Sequence, residues 1–357
     1  MLYYLLYPLS KHFIVFNVFK YITFRSIGAT LTALALGLFL GPLFIKALQK
    51  RSVGQAIRED VPKRHRGKSG TPTMGGLLIL VSILLAVLLW ADVKNIYIWV
   101  AVAVLLGYGA IGIVDDILKI TRAPEGMGGW RKLGLEALIA LLIALILFSL
   151  PEFTMGLTVP FFKRVAINMG WFYLLFAVFV IVGASNAVNL TDGLDGLAIG
   201  PVMTSALVFM VFSYATGHVK FSEYLKIPHI PGIGELSVFC GALIGAGLGF
   251  LWFNAYPAQM FMGDVGSLAL GGALGGLALL TKQEILLALV GGIFVWETIS
   301  VIMQVISFKW KGKRVLLMAP IHHHFELRGW EEPKITVRFW IISVILALLA
   351  LSTLKLR

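Results

Sequence analysis

Polar side chains recur at every third position of a short stretch that separates two long apolar segments. These side chains belong to Asn186, Asn189, Asp192 and Asp195. In a tight helical turn, this spacing would place all four on roughly one face. Amides and carboxylates on one face suit a phosphate or metal site. A carboxylate near a bilayer costs about 2.5–3.5 kcal/mol on insertion scales, so ionisable residues there indicate a functional site or a water-exposed membrane surface.

A second group of acids, Asp115 and Asp116, follows another apolar segment. On a helix these two carboxylates would point about 100° apart, so they would not serve one metal ion in the same way. Lys119 follows them closely and could pair with either acid. The pattern fits a catalytic site, and it also fits an ordinary solvated helix end with a salt bridge.

A third carboxylate, Asp264, lies between glycines where an apolar segment begins. If that segment is a helix, the free N–H groups of its first turn would attract a phosphate. Mg²⁺ takes one or two protein carboxylates and completes its shell with water and substrate phosphate, so a single Asp beside a phosphate is chemically sensible. The alternative is a helix cap without a ligand.

Three consecutive histidines, His322 to His324, lie in what the sequence predicts to be a basic loop. Their spacing lacks the pattern of a helical zinc site, and consecutive side chains point in different directions. We therefore expect hydrogen bonds or charge contacts with a diphosphate, or else a structural role at the surface.

Two loops beside apolar segments add further candidates. Lys68 and Thr73 supply a basic group and a hydroxyl just before one segment. Asn254 and Phe261 supply an amide and an aromatic ring, which could stack on a nucleobase, just before Asp264. Taken alone, both loops are also typical of ordinary membrane boundaries.

The elements that must position these residues are membrane helices. With 59% hydrophobic and 13% charged residues, a chain of 357 residues cannot hide its apolar side chains in one soluble core. The single Cys240 excludes an intrachain disulfide. The net charge of +12 is typical of loops that record orientation and contact anionic lipid, and we expect no nucleic-acid partner. The composition predicts an all-α polytopic membrane protein.

About ten transmembrane helices can be identified from apolar runs of about 18–25 residues. They lie near 26–48, 73–91, 95–114, 133–150, 170–187, 197–216, 237–255, 262–280, 285–308 and 336–354. Residues 1–24 carry many aromatic side chains and are expected to form an interfacial segment rather than a secretory signal. The breaks between spans are short, so residues 1–357 are expected to form a single integral-membrane domain.

Basic residues predict the orientation, because loops rich in Lys and Arg stay in the cytoplasm. The loop after the first span is the most basic, and the alternate loops on its side carry more Lys and Arg than the loops on the other side. Both termini should therefore be extracytoplasmic. With this topology, the acidic, amide and histidine clusters all lie at the cytoplasmic face, which predicts an active site there.

The order of these motifs resembles the polyprenyl-phosphate N-acetylhexosamine-1-phosphate transferases. The motifs are Asp-Asp-x-x-Lys, Asn-x-x-Asn-x-x-Asp-Gly-x-Asp-Gly-Leu, Gly-Asp-x-Gly-Ser and the histidine-rich segment. Within that superfamily, Pro72-Thr-Met-Gly-Gly76 and Ala319-Pro-Ile-His-His-His-Phe-Glu326 are similar to the phospho-N-acetylmuramoyl-pentapeptide transferases of bacterial cell-wall synthesis. The resemblance covers nearly the whole chain.

The resemblance implies transfer of phospho-N-acetylmuramoyl-pentapeptide from UDP-N-acetylmuramoyl-pentapeptide to undecaprenyl phosphate, which yields lipid I and UMP for peptidoglycan synthesis. It implies Mg²⁺ as a cofactor with Asp264 as its ligand, and a multi-pass protein of the bacterial inner (cytoplasmic) membrane that could form a homodimer. Asp115 would deprotonate the lipid phosphate or attack the diphosphate itself. Asp116 would support the metal and phosphate region, and His323 completes the catalytic candidates.

The resemblance also assigns residues to the donor. Lys68, Asp195 and Phe261 would surround the uracil, and Asn189, Asp192 and Asn254 would lie near the uridine and diphosphate. The other substrate-binding candidates are Thr73, Asn186, His322 and His324, with His323 and His324 at the mouth of the site.

The ninth span contains Gly291, Gly292 and Glu297, and the resemblance implies that it is bent and opens a groove for the lipid tail. Glu297 falls near mid-membrane, where an acid is functional, protonated or partnered.

Two other functions remain open from the sequence. A related transferase could use UDP-N-acetylglucosamine, and only the histidine-rich segment and the Pro-Thr-Met-Gly-Gly motif argue against it. A carrier for an anionic lipid or nucleotide would also need basic and amide groups. Carriers, however, place their sites at the midplane between repeats, whereas this chain shows no evident inverted repeat.

Overall fold

The computed structural model describes residues 1–50, 70–121, 126–150, 153–159 and 166–355, and most of them are helical. The helices are α1 Leu2–Leu6, α2 Ile22–Lys50, α3 Gly76–Trp90, α4 Ile96–Thr121, α5 Gly129–Phe148, α6 Phe172–Thr191, α7 Ile199–Gly217, α8 Val219–Leu225, α9 Leu236–Asn254, α10 Gly263–Leu280, α11 Glu284–Val290, α12 Gly292–Lys311, α13 Ile321–Leu327 and α14 Glu332–Ser352. Short 3-10 turns occur at Tyr7–Lys11, Ile14–Lys20 and Ile233–Glu235. A small hairpin pairs β1 Gly156–Thr158 antiparallel with β2 Ala166–Asn168.

Among the described residues, eight helices are long and apolar enough to cross a membrane. They are α2, α4, α6, α7, α9 with the 3-10 turn before it, α10, α12 and α14. The chain is therefore a multi-pass, mostly helical membrane protein. Each of the ten predicted spans falls on a helix, but α3 is a shorter apolar helix and α5 is not among the eight. The predicted span 285–308 is two helices, α11 and α12, interrupted at Gly291.

Helix α10 lies at the centre of the bundle, where it packs against α3, α4, α6 and α7. Every residue from Val265 to Leu280 is buried. A Cβ on Gly271 would lie 2.6 Å from the backbone oxygen of Ala184 in α6, and one on Gly272 would lie 2.9 Å from the Tyr108 ring in α4. Small residues therefore bring the neighbouring helices close to α10, and its two ends are fixed relative to theirs.

A second, smaller apolar cluster lies apart from the main core. It consists of Leu194, Leu197, Ile293, Ile335 and Phe339, and we call it the C-terminal cluster. Its members come from the turn after α6, from α12 and from α14. The C-terminal cluster thus attaches the turn after α6 to the last third of the chain.

A polar cluster lies beyond the C-terminal end of α10, and we call it the outer cluster. Lys282 Nζ donates to the Thr154 backbone oxygen at 2.7 Å and to the Tyr173 hydroxyl at 2.8 Å, and it lies 3.4 Å from Glu284 Oε1. The Tyr173 hydroxyl in turn donates to Glu284. Only 3% of the Lys282 side chain is exposed, so this ammonium group makes its polar contacts with the protein and not with solvent.

The N-terminal segment packs on the outer ends of α2 and α3. The ring of Phe19 stacks on Trp90 with centroids 5.8 Å apart, and Arg25 pairs with Glu235 with 2.7 Å between Nη1 and Oε2. Its placement at the membrane interface stays a prediction, as do the positions of both termini relative to the cytoplasm.

Candidate active site

Helix α4 runs past the predicted end of the third span, so Asp115 and Asp116 lie inside the helix rather than after it. Asp115 Oδ2 lies 2.8 Å from Lys119 Nζ, and Asp115 Oδ1 accepts a hydrogen bond from the Met127 backbone N–H at 2.7 Å. The salt bridge that the sequence left open is present. It does not stand alone, because the same lysine reaches a second carboxylate.

That second carboxylate is Asp264, which lies at the start of α10. Lys119 Nζ is 3.0 Å from Asp264 Oδ2, and Lys132 Nζ of α5 donates to the same oxygen. Lys132 Nζ also lies 3.6 Å from Asp115 Oδ2. Two carboxylates therefore share two ammonium groups, and we call Asp115, Lys119, Lys132 and Asp264 the acid–lysine cluster.

Lys132 was not identified from the sequence as a site residue. It precedes the apolar part of α5, as many basic residues at membrane boundaries do. It is also too far from Asp115 in the sequence for the two side chains to meet on one helix. Only the packing of α5 beside α4 brings its side chain to Asp264. No local signal in the sequence could have distinguished it from its basic neighbours.

Asp116 has a role different from that of Asp115. Its two oxygens accept hydrogen bonds from the backbone N–H groups of Asp264 at 3.2 Å and Val265 at 3.3 Å. Gly263 has a φ of 72°, and a Cβ there would lie 2.5 Å from Asp116 Oδ2. Two of the N–H groups expected to attract a phosphate at this helix start, those of Asp264 and Val265, are therefore already capped by the Asp116 carboxylate.

Asn186, Asn189, Asp192 and Asp195 do not share one helical face. Helix α6 ends at Thr191, so Asp192 and Asp195 lie outside it. Asn189 Nδ2 donates to Asp264 Oδ1 at 3.1 Å and to Ser267 Oγ at 2.8 Å. Asn186 instead donates to Glu136 of α5. Of the two amides, Asn189 thus joins the acid–lysine cluster and Asn186 lies beside it.

Asp192 and Asp195 lie in the turn after α6. Burial raises the pKa of Asp192 to about 8, and the negative charges of Asp264, Asp116 and Asp195 add to the shift. Asp195 Oδ2 accepts the Ala258 N–H at 2.9 Å. Asp192 thus has a raised pKa, and Asp195 connects the turn to the loop before α10.

Asn254 holds the same turn from the other side. Its Oδ1 accepts the Gly196 N–H at 3.0 Å and its Nδ2 donates to the Met260 backbone oxygen at 2.9 Å. Both ends of this amide bind the protein's own backbone. A role toward the uridine stays a prediction.

The loops before α3 and before α10 lie side by side, as a shared site requires. The Phe261 N–H donates to the Pro72 oxygen at 2.8 Å, and the Gly75 N–H donates to the Phe261 oxygen at 2.8 Å. This pairing places buried Thr73 close to Gly263. Lys68, the expected uracil contact, lies outside the described residues.

The histidines form part of a helix, α13, and not the expected loop. Each ring has a different partner. His322 Nδ1 lies 3.1 Å from Glu297 Oε1, His323 Nδ1 lies 2.6 Å from Glu326 Oε2, and His324 Nδ1 accepts the Leu317 N–H at 3.1 Å. Burial and, less strongly, the charge of Arg328 lower the pKa of His324, which suits its role as a neutral acceptor.

The donor set around Asp264 fits a hard divalent cation. Asp264 and Asp115 supply carboxylate oxygens beside the Asn189 amide, and the two lysines show that this pocket stabilises positive charge. Within the described residues, no group of three His, Cys, Asp or Glu side chains could hold a metal. Magnesium does not need one, since it keeps waters and binds substrate phosphate.

Comparisons with known proteins identify the family of the chain. A family model described as glycosyl transferase family 4 matches residues 96–282, and one described as phospho-N-acetylmuramoyl-pentapeptide-transferase signature 1 matches residues 68–80. The phospho-N-acetylmuramoyl-pentapeptide-transferases of Syntrophus aciditrophicus and Citrifermentans bemidjiense are 57% and 58% identical, each over 100% of both chains. One from a Geobacter species is 58% identical over the same extent. The chain therefore belongs to the phospho-N-acetylmuramoyl-pentapeptide-transferase family.

Proposed function

We propose that the chain transfers phospho-N-acetylmuramoyl-pentapeptide from its uridine diphosphate carrier to undecaprenyl phosphate in the bacterial cytoplasmic membrane. The observation that carries the proposal is the acid–lysine cluster, in which three helices of a multi-pass protein bring two carboxylates and two ammonium groups together. Full-length relatives that bear the name of this activity support it. A diphosphate and a lipid phosphate both need ammonium groups that can pair with their oxygens, and Lys119 and Lys132 supply them.

In the reaction, an oxygen of the lipid phosphate attacks the phosphorus that carries the sugar. A new P–O bond forms, the P–O bond to the uridine phosphate breaks, and UMP leaves. Phosphoryl transfer gains mainly from positioning and from neutralising charge. Lys119 and Lys132 would bind the phosphate oxygens, and Asp115 would accept the proton of the lipid phosphate; in the two-step alternative, its carboxylate attacks the diphosphate first.

Magnesium would be held by Asp264, with Asp115 and Asn189 beside it, and would neutralise charge on the diphosphate. Asp116 would act on the same place indirectly, because its bonds to the first N–H groups of α10 orient Asp264. The lysines that now contact both carboxylates would be available to the phosphates when a metal ion satisfies those oxygens.

The donor would lie over the turn after α6 and the paired loops before α3 and α10. The raised pKa of Asp192 favours its protonated form, which would donate a hydrogen bond to the diphosphate without repelling it. Phe261 and Asp195, with Lys68, would contact the uracil, and Asn254 would act near the uridine. His323 and His324 would line the mouth, where a peptide-bearing sugar needs polar contacts.

The direct test uses purified protein in detergent with undecaprenyl phosphate, Mg²⁺ and an equimolar mixture of UDP-N-acetylmuramoyl-pentapeptide and UDP-N-acetylglucosamine. Mass spectrometry of the lipid fraction should find the pentapeptide-bearing lipid diphosphate, with one UMP released per lipid. A product that carries N-acetylglucosamine at a comparable rate would replace the muramoyl assignment with the broader transferase assignment. Formation of neither lipid would reject both.

A further inference from the structure

A buried acid and a buried histidine face each other outside the acid–lysine cluster. Glu297 belongs to α12 and is 0% exposed, and His322 belongs to α13 and is 1% exposed. Their closest atoms, Oε1 and Nδ1, are 3.1 Å apart. Within the described residues, neither the Glu297 carboxylate nor the His322 nitrogens have a hydrogen-bond partner of ordinary geometry. Each group is therefore the nearest polar partner that offsets the cost of burying the other.

This mutual dependence fixes the position of each side chain relative to the other. An isolated carboxylate or imidazolium in an apolar environment is strongly disfavoured, so each group is stable there only while the other is in place. Glu297 lies in the first half of α12, just after the interruption at Gly291. The contact therefore fixes α13 to a helix that crosses the membrane.

The opposite edge of the His322 ring contacts the turn after α6. A Cβ built on Gly193 would collide with Nε2 of His322, so the ring packs directly against the backbone beside Asp192. The same turn contributes Leu194 and Leu197 to the C-terminal cluster, where Ile293 of α12 joins them. The polar pair and the apolar cluster thus connect the same two elements.

We propose that Glu297 and His322 are a positioning pair, which holds the Asp192–Gly193 turn against α12 and so keeps the donor side of the site in register with Asp264. The turn begins only three residues after Asn189, which donates to Asp264. A displacement of His322 would therefore move the residues proposed to receive the diphosphate. The effect on catalysis rests on the proposed function, but the structural coupling does not.

The coupling is tested without any substrate by hydrogen–deuterium exchange of the full chain in detergent. Glu297→Ala should raise amide exchange in both 192–197 and 321–327, and Glu297→Gln, which can still hydrogen-bond an imidazole nitrogen, should restore most of the protection. Ser300→Ala is the matched control, because Ser300 is equally buried on α12 and its hydroxyl donates to its own helix at the Glu297 backbone oxygen. Unchanged exchange in 192–197 in Glu297→Ala would overturn the proposal.

A double-mutant cycle tests the contact at Gly193. Gly193→Ala should lower kcat/KM for the nucleotide donor about 10- to 100-fold, since small misplacements in an active site have effects of this size. In a His322→Ala background, where the ring is gone, the same methyl group should cost less than about twofold, because contacting residues couple. Equal costs in both backgrounds would contradict the packing contact.

The two proposals fail in distinguishable ways. If the wild type makes no lipid diphosphate, the proposed function falls, while the exchange measurement still decides whether the pair holds the turn. If the wild type is active and KM for undecaprenyl phosphate rises in Glu297→Ala as much as KM for the donor, the pair does not act on the donor side. If Glu297→Ala does not fold, the Gly193 cycle still decides the question.

Discussion

The acid–lysine cluster and the outer cluster use the same residue types at the two ends of α10, yet they differ in what remains available. In the outer cluster, Lys282 has three protein oxygens around it and a side chain only 3% exposed. In the acid–lysine cluster, Lys119 is 34% exposed and its contacts are two carboxylates that it shares with Lys132. Breaking a buried ion pair by removing one partner is costly, whereas shared and partly exposed charges can be exchanged for those of a ligand.

The largest expected difference between the clusters comes from replacing one carboxylate in each by an amide. Asp264→Asn should lower the transfer rate at least about 100-fold, because the proposed Mg²⁺ ligand is lost from the transition state. Glu284→Gln should keep the transfer rate within about twofold and instead destabilise the protein, by up to about 3–5 kcal/mol for a broken buried pair. Initial rates at saturating Mg²⁺ and thermal unfolding in detergent measure the two effects.

Either of two results would contradict this difference between the acid–lysine cluster and the outer cluster. Near-wild-type turnover in Asp264→Asn at saturating Mg²⁺ would remove this residue from the metal site. A large loss of activity in stable Glu284→Gln would show that the outer cluster takes part in the reaction.

A smaller difference is expected for the lysines. Lys132→Met should lower the transfer rate about tenfold or more, because a charged hydrogen bond contributes about 1.5–3 kcal/mol. Lys282→Met should leave the rate unchanged and destabilise the protein about as much as Glu284→Gln does, because it leaves the buried Glu284 carboxylate without its ammonium partner. Paired assays and unfolding curves decide this, and equal rate losses in both variants would contradict the comparison.

His324 sharpens the comparison because its Nδ1, like Lys282 Nζ of the outer cluster, is already hydrogen-bonded to the protein. His324→Ala should lower kcat/KM for the donor several-fold by releasing the Leu317 N–H. His324→Asn should recover part of the loss, because an Asn side-chain oxygen can occupy the place of Nδ1. If Asn is no better than Ala, a direct contact between His324 and the donor becomes the better explanation.

The last expectation concerns stability rather than rate, through the pH dependence of Asp192. Its pKa of about 8 lies above the ordinary 3.8, so the unfolded chain ionises at lower pH than the folded one. The contribution of the protonated Asp192 carboxyl to the free energy of unfolding is therefore fully present below about pH 4, and it is lost as the pH rises towards 8. The melting temperature of Asp192→Asn relative to wild type should increase across this range and then level off. A difference that does not depend on pH would show that Asp192 is ionised throughout.

Periodicity and apolar runs predicted the helices well, because a bilayer demands long apolar segments whatever surrounds them. Asp115 and Asp264 were recognisable, since an acid at a membrane boundary is conspicuous. Lys132 was not, because its partner is distant in sequence. The capping role of Asp116 also escaped the sequence, since it depends on how α4 crosses the start of α10. The metal, the donor contacts and the orientation in the membrane stay predictions.

The enclosure of α10 has a consequence for how the protein responds to its lipid environment. At 1.5 Å per residue, its 18 residues span about 27 Å, close to the thickness of the hydrocarbon core. Lipid-facing helices such as α2 can tilt when bilayer thickness changes. Because α10 is surrounded by protein, a thinner or thicker bilayer acts first on those outer helices. The separation between the two clusters is therefore set by the length of a protected helix rather than by the surrounding lipid.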